Sequence, residues 1–173
     1  ERTGDIRSYK KDLVDLYVNR DQHSFSTQVT DLDNIQNPSI HSLLSSKYHE
    51  AQMYRLNIHA EIPDPVTHSY LTDLDLAVVL GHLMDNAIDG ARKASEGFIS
   101  LAYFDEEDCQ SFIIESTIAD EQVPLSMMGT QTPHPEGGIG VNAVQDILER
   151  YPNTSFSVRS QNHKMMQILE MRP

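Results

Sequence analysis

The chain is short of cysteine, tryptophan, positive charge and long apolar runs, and each shortage but that of tryptophan excludes something. One cysteine, Cys109, in 173 residues rules out an internal disulfide framework and a CxxC metal or redox site, and a reducing compartment is the simplest reading. Lys and Arg total 13 against 26 Asp and Glu, a formal net charge of −13. Such a chain is poorly suited to nucleic acid or anionic membrane, whose non-specific affinity comes from cation–phosphate contacts. No apolar run approaches the roughly 20 residues that span a bilayer, and no signal-peptide pattern opens the chain. Its first residue is Glu1, so it reads as a piece of something longer, whose membrane anchor would lie outside it. None of the eight His stands in an HxxxH or HExxH pair, which argues against zinc, and no GK[ST] sequence exists to form a Walker loop.

What is present falls into helices and strands by period. Ile6, Tyr9, Leu13, Leu16 and Tyr17 lie at helical spacing in a highly charged setting, a narrow stripe of the kind that packs on another helix. His23–Gln36 are polar and without pattern and read as a linker or frayed turn. Asn37-Pro38 is a helix start, with Asn as cap and Pro in the first turn. The predicted helix carries Ile40, Leu43, Leu44, Tyr48 and Ala51 inward and ends near Asn57. Ile58, Ala60 and Ile62 alternate as a short strand stopped by Pro63 and Pro65. A long helix is predicted over 72–94, then a hairpin of strands 98–104 and 111–117 around Asp105–Asp108. Ile118–Gly137 shows turn formers and no period, and a loop of that length in a compact domain is commonly a functional lid. A helix over 140–151 and a last strand pair about Asn162-His163 complete the chain. This order predicts an α+β fold, a two-layer sandwich with one mixed, mostly antiparallel sheet against three helices.

Two constellations carry candidate chemistry. Along the helix over 72–94, at about 100° per residue, His82, Asn86, Asp89 and Lys93 form one row within roughly 40°, while Leu76, Leu80, Leu83, Ala87 and Ala91 occupy the opposite side. A solvated helix face would have the same spacing, but Asn is a weak helix former in mid-helix. The second constellation is Gly137-Gly138-Ile139-Gly140 at a helix entry, where bare backbone amides and the helix dipole favour phosphate. A common turn would also look like this.

Together the two resemble a known family. HLMDNAIDGARK (82–93) looks like the N-box of the GHKL ATPases and GGIGVNAVQDIL (137–148) like their last glycine box, with the long loop in the place of the ATP lid of their Bergerat fold. NPSIHSLLSSKYHEAQ (37–52), NIHAEIP (57–63), LAVVLGHLMDNAIDGA (76–91) and ILERYP (147–152) are similar to the catalytic domains of peptide-pheromone sensor histidine kinases of the AgrC/ComD type. The resemblance covers about 37–173. It implies a catalytic domain over 36–173, preceded by the remnant of a dimerisation hairpin and linker over 1–35, in the cytoplasmic part of a membrane-anchored sensor. It implies ATP and Mg²⁺ as cofactors, with Asn86 as the metal ligand through its amide oxygen. His82, one turn earlier, would touch phosphate or handle a proton. Asp89 and Lys93 would line the same face, and Gly138 and Gly140 would bring backbone amides to the phosphates. The chemistry implied is phosphoryl transfer to a His on a dimerisation helix outside this sequence. The implied partners are the kinase's own dimerisation helices, in a homodimer, and a response regulator.

The sequence also departs from the family. The DxGxG box that reads adenine is absent: FIIESTIADE (112–121) takes its place, with Ser116 where pheromone-kinase relatives tend to carry Asn. Between Ala94 and Glu149 there are 11 acidic residues and no Lys or Arg, so the lid offers ATP no fixed cation. A missing charge-assisted contact costs about 1.5–3 kcal/mol, which predicts weak nucleotide binding. A second reading keeps the fold and gives up the chemistry, a degenerate pseudokinase or interaction domain. A Ser-directed kinase of the anti-sigma-factor kind is a third, which would not need the helix at 1–22. His134, Cys109 and the scattered Met are read as structural or solvated.

Overall fold

The computed structural model describes residues 31–123 and 140–173. The expected helix at 1–22, the lid's Pro124–Gly137 and the glycines before Gly140 lie outside the described residues.

Helix α1 (Pro38–Met53) starts where the sequence places it. The Asn37 side chain accepts from Ser39 N at 2.9 Å and Ile40 N at 3.2 Å, with Pro38 at the first position. Ile40, Leu44, Tyr48 and Ala51 are its buried stripe. It ends before the predicted Asn57, because Arg55 turns into the left-handed region (φ 60°) and Leu56 drops into the core. Asn57 instead opens strand β1 (Asn57–Glu61), which stops ahead of Pro63 and Pro65.

Helix α2 (Asp73–Lys93) is capped by Thr72 and has Asp73 and Asp75 in its first turn and Arg92 and Lys93 in its last, each sign placed to favour the helix dipole. Strands β2 (Phe98–Glu106) and β3 (Cys109–Thr117) form the hairpin, paired through to Glu106 and Cys109, so the turn is Glu107-Asp108 rather than four residues. Between α2 and β2 the chain passes so close to its neighbours that a Cβ on Gly97 would overlap the Leu56 side chain and sit 3.0 Å from Ala91 O. Helix α3 (Gly140–Leu148) stops three residues short of the predicted end. Strands β4 (Thr154–Gln161) and β5 (Lys164–Met171) join through Asn162 and His163 at φ 54° and 58°, the left-handed pair that tight hairpins need.

The sheet order is β1-β2-β3-β5-β4. Only β1 with β2 is parallel, and the three other pairs are antiparallel. The three helices share one face, over Ile58, Ile99, Leu101, Tyr103, Phe112, Ile114 and Leu169. The expected α+β two-layer architecture is present. The opposite face carries a small cluster of Ala102, Ile113 and Met166, flanked by Phe104 and Ile168.

The end of the segment read as a linker or frayed turn packs onto the domain. Asp31–Asn34 form a 3₁₀ turn, Leu32 and Ile35 are buried in the main core, and Ile35 bridges to Val66. A polar run with two apolar residues three apart carries too little pattern to reveal such packing.

Candidate functional site

The site is built on α2. Leu76, Val79, Leu80, Leu83, Met84, Ala87, Ile88 and Ala91 are buried against the sheet and α1. That packing fixes the helix's rotation and turns His82, Asn86, Asp89 and Lys93 outward as one row, His82 half-buried and the others exposed. The four therefore share a face. Of the glycines, Gly140 begins α3, which packs on α2, and Gly138 lies outside the described residues.

On one flank of the row, Lys47 of α1 donates to Asp85 at 2.5 Å and to Glu50 at 2.8 Å. Burial works against the ammonium, but hydrogen bonds to Asp85 and then Glu50 outweigh it and raise its pKa. Asp89 faces Arg92 at 3.9 Å, and the Arg92 guanidinium lies 3.8 Å from the centre of the Tyr54 ring.

On the other flank, strands β3 and β5 bring polar groups under the helix. Gln167, 2% exposed, donates through Nε2 to Leu83 O at 3.0 Å, and its Oε1 accepts from Asn86 Nδ2 at 3.4 Å. Ser116 is fully buried where Gly90 lets helix and strand approach: a Cβ on Gly90 would lie 3.8 Å from Ser116 Oγ and 3.0 Å from Ile118 Cγ2. Among the described residues, Ser116 Oγ is the buried side-chain polar atom with no hydrogen-bond partner. Buried polar groups are nearly always satisfied, so this hydroxyl beside the polar row calls for a partner, a bound water or a ligand atom.

A latch ties α3 to the start of α2. Asp75 accepts from Tyr151 Oη at 2.5 Å, Arg150 Nη2 at 2.7 Å and Thr72 Oγ1 at 3.0 Å. The Tyr151 hydrogen bond, opposed by burial and helped by Thr72 and Arg150, holds the Asp75 carboxyl below its ordinary value of 3.8. With the folded pKa below the unfolded one, the latch stabilises the fold above about pH 4 and loses that effect as pH falls further. Asp75→Asn should therefore melt below the wild-type protein at pH 6–7, and the two should converge below about pH 4. Thermal melts across pH 3–7 check this, and a gap independent of pH would refute it.

Lys47, Asp75, Gln167, Arg150 and Tyr151 went unmarked as contributors in the sequence. Several of their partners lie on other elements, and the recurring segments NPSIHSLLSSKYHEAQ and ILERYP, which hold Lys47, Arg150 and Tyr151, carry no stated role for them. Asn86 is a suitable hard ligand for Mg²⁺. Among the described residues no group of three His, Cys, Asp or Glu could hold a metal. The donor set thus fits a cation carried in with phosphates rather than one the protein holds by itself. An open cleft of about 310 Å³ lined by Leu32, His41, Ser45 and His49 lies on α1 and shares no residue with the row.

Comparison with known proteins agrees with this architecture. The profile described as the GHKL domain matches residues 71–172, which include the whole polar row, Ser116 and Gln167. No curated protein matches. Among solved structures, the nucleotide-free catalytic domain of histidine kinase ThkA superposes with a TM-score of 0.64 at 14% identity, covering 79% of this chain and 90% of that one. The mycobacterial sensor histidine kinase MprB gives 0.57 at 12% identity, covering 76% and 92%. Full-length ShkA in complex with AMPPNP gives 0.61 at 12% identity, covering 84% and 30%. At these identities the likeness is one of fold. The profile spans more than half of the sequence, from the start of α2 through the last strand, and on that ground the chain belongs to the GHKL domain family.

Proposed function

We propose that this chain is the ATP-binding catalytic domain of a sensor histidine kinase. The observation that carries this is the Asn86 row on α2 with the unpartnered Ser116 hydroxyl beneath it. The fold shared with ThkA, MprB and the AMPPNP-bound ShkA supports it. In this reading the nucleotide lies along the row. A bound Mg²⁺ would supply charge neutralisation at the phosphates. Asn86 would hold it through Oδ1, His82 would meet the phosphates one turn earlier, and Asp89 and Lys93 would line the same face. Gly138 and Gly140 would offer backbone amides at the entry to α3. Phosphoryl transfer would form an N–P bond on a His of a dimerisation helix as the bond to the departing ADP breaks, and this domain's part in it is positioning and charge stabilisation. The AgrC/ComD-like motifs extend the proposal to peptide-pheromone quorum sensing, with residues 1–35 as the tail of a dimerisation hairpin. The domain would lie on the cytoplasmic side of a membrane-anchored homodimer and serve a response regulator. Among the described residues, no helix is long and apolar enough to cross a membrane.

Titration calorimetry with ATP tests the proposal directly. The expected result is saturable binding that requires Mg²⁺, with a Kd of roughly several hundred micromolar, because the lid sequence provides no charge-assisted contact. No heat and no thermal shift at several millimolar ATP would sink it, and the degenerate, non-catalytic reading of the same fold would replace it.

A further inference from the structure

We infer that Gln167 is a positioning residue that fixes which end of the Asn86 amide faces the nucleotide's cation. The inference rests on the ATP-binding reading above and goes beyond it, since that reading gives Gln167 and β5 no role toward the nucleotide. Gln167 lies in the middle of β5, paired with Val158 and Ile114, at a position whose neighbours on the same face, Leu169 and Met171, are fully buried and apolar. A buried amide there costs free energy unless it is paired and replaces a residue that could pack.

The pairing settles its orientation. Leu83 O can only accept, so the group 3.0 Å from it must be the Gln167 NH₂. Gln167 Oε1 therefore points the other way and can only accept in turn. The Asn86 group 3.4 Å from it must then be the Nδ2 amine, which leaves Asn86 Oδ1 as the free end. A backbone carbonyl in the core of α2 thus dictates, through one buried side chain, that an exposed Asn presents oxygen and not nitrogen. Without Gln167 the Asn86 amide could turn over at little cost, and half of its orientations would offer a cation two N–H groups. Partners one shell behind a metal ligand commonly contribute 10- to 100-fold to metal affinity or activity.

Gln167→Met keeps the length and removes the polar atoms. Leu83 O retains its bond within the helix, so the fold should tolerate the change. Calorimetry with ATP is run with and without Mg²⁺ on wild type, Gln167→Met, Asn86→Ala and the double variant. The expected result is roughly a tenfold loss of affinity in Gln167→Met with Mg²⁺, little change without it, and no additional loss when Asn86 is already Ala. A second measurement needs neither nucleotide nor folding of a variant: the side-chain amide protons of Asn86 by NMR. They should show a through-space contact to the Gln167 side chain in the free wild-type protein, which an Asn86 amide turned the other way would not give. Absence of that contact, or an equal loss with and without Mg²⁺, overturns the inference and leaves the ATP-binding reading intact. Wild-type protein that binds no nucleotide overturns both, even if the NMR contact is seen.

Discussion

Asn86→Ala should cost ATP binding about 10- to 150-fold in the presence of Mg²⁺, and much less in its absence. The range is what one lost contact to a charged group is worth, about 1.5–3 kcal/mol. Asn86 is exposed, so the effect on folding is the sum of two small opposed changes. Alanine is the better helix former by several tenths of a kcal/mol, while Gln167 loses the donor to its Oε1, worth about 1 kcal/mol. Stability should move by no more than about 1 kcal/mol. The two readouts separate a ligand from a structural residue: calorimetry with Mg²⁺ or with chelator shows the first, thermal melts the second. Binding that survives Asn86→Ala unchanged would remove the metal-ligand role, and the polar row would revert to a solvated face.

What could be read ahead of the structure was local, and what could not was remote. Asn37-Pro38 predicts a helix start because the cap and the helix touch within three residues, and the cap is there. The Asn162-His163 turn predicts a hairpin for the same reason. The rotation of α2 followed from the apolar period alone, which is why the four residues of the row were legible as a group. Helix ends were less legible. The end of α1 depends on Leu56 being drawn into the core, and no residue nearby announces it. Gln167 lies 81 residues from Asn86 and Tyr151 lies 76 from Asp75. The one sign Gln167 gives is a polar residue inside an apolar alternation, which a strand with a solvated face would also show. Ser116 was legible as a departure from a motif, but its unpartnered hydroxyl comes from a close approach of helix and strand that composition does not encode.

That approach depends on the sheet holding α2 from below, and Phe112→Ala should show how much. Phe112 is fully buried on the helix-facing side of β3, the central strand. Its ring meets Tyr103 edge-on, centroids 5.4 Å apart at 89°, and it pairs with Tyr103 on one side and Leu169 on the other. Truncation leaves a cavity that rigid neighbours on three sides cannot close, and should cost about 3–5 kcal/mol, a large part of the 5–15 kcal/mol that typically holds a domain folded. At about 2–4 °C per kcal/mol for a chain of this size, the melting temperature should fall by about 6–20 °C. Phe104→Ala is the matched control, because it deletes the same atoms from a half-exposed position on the opposite face of the same hairpin. It should cost about half as much or less, in proportion to the apolar area it keeps from water. Equal losses would mean that the sheet carries two comparable cores. The helix-facing core would then not be what sets the rotation of α2, and the alignment of His82, Asn86, Asp89 and Lys93 would need another cause.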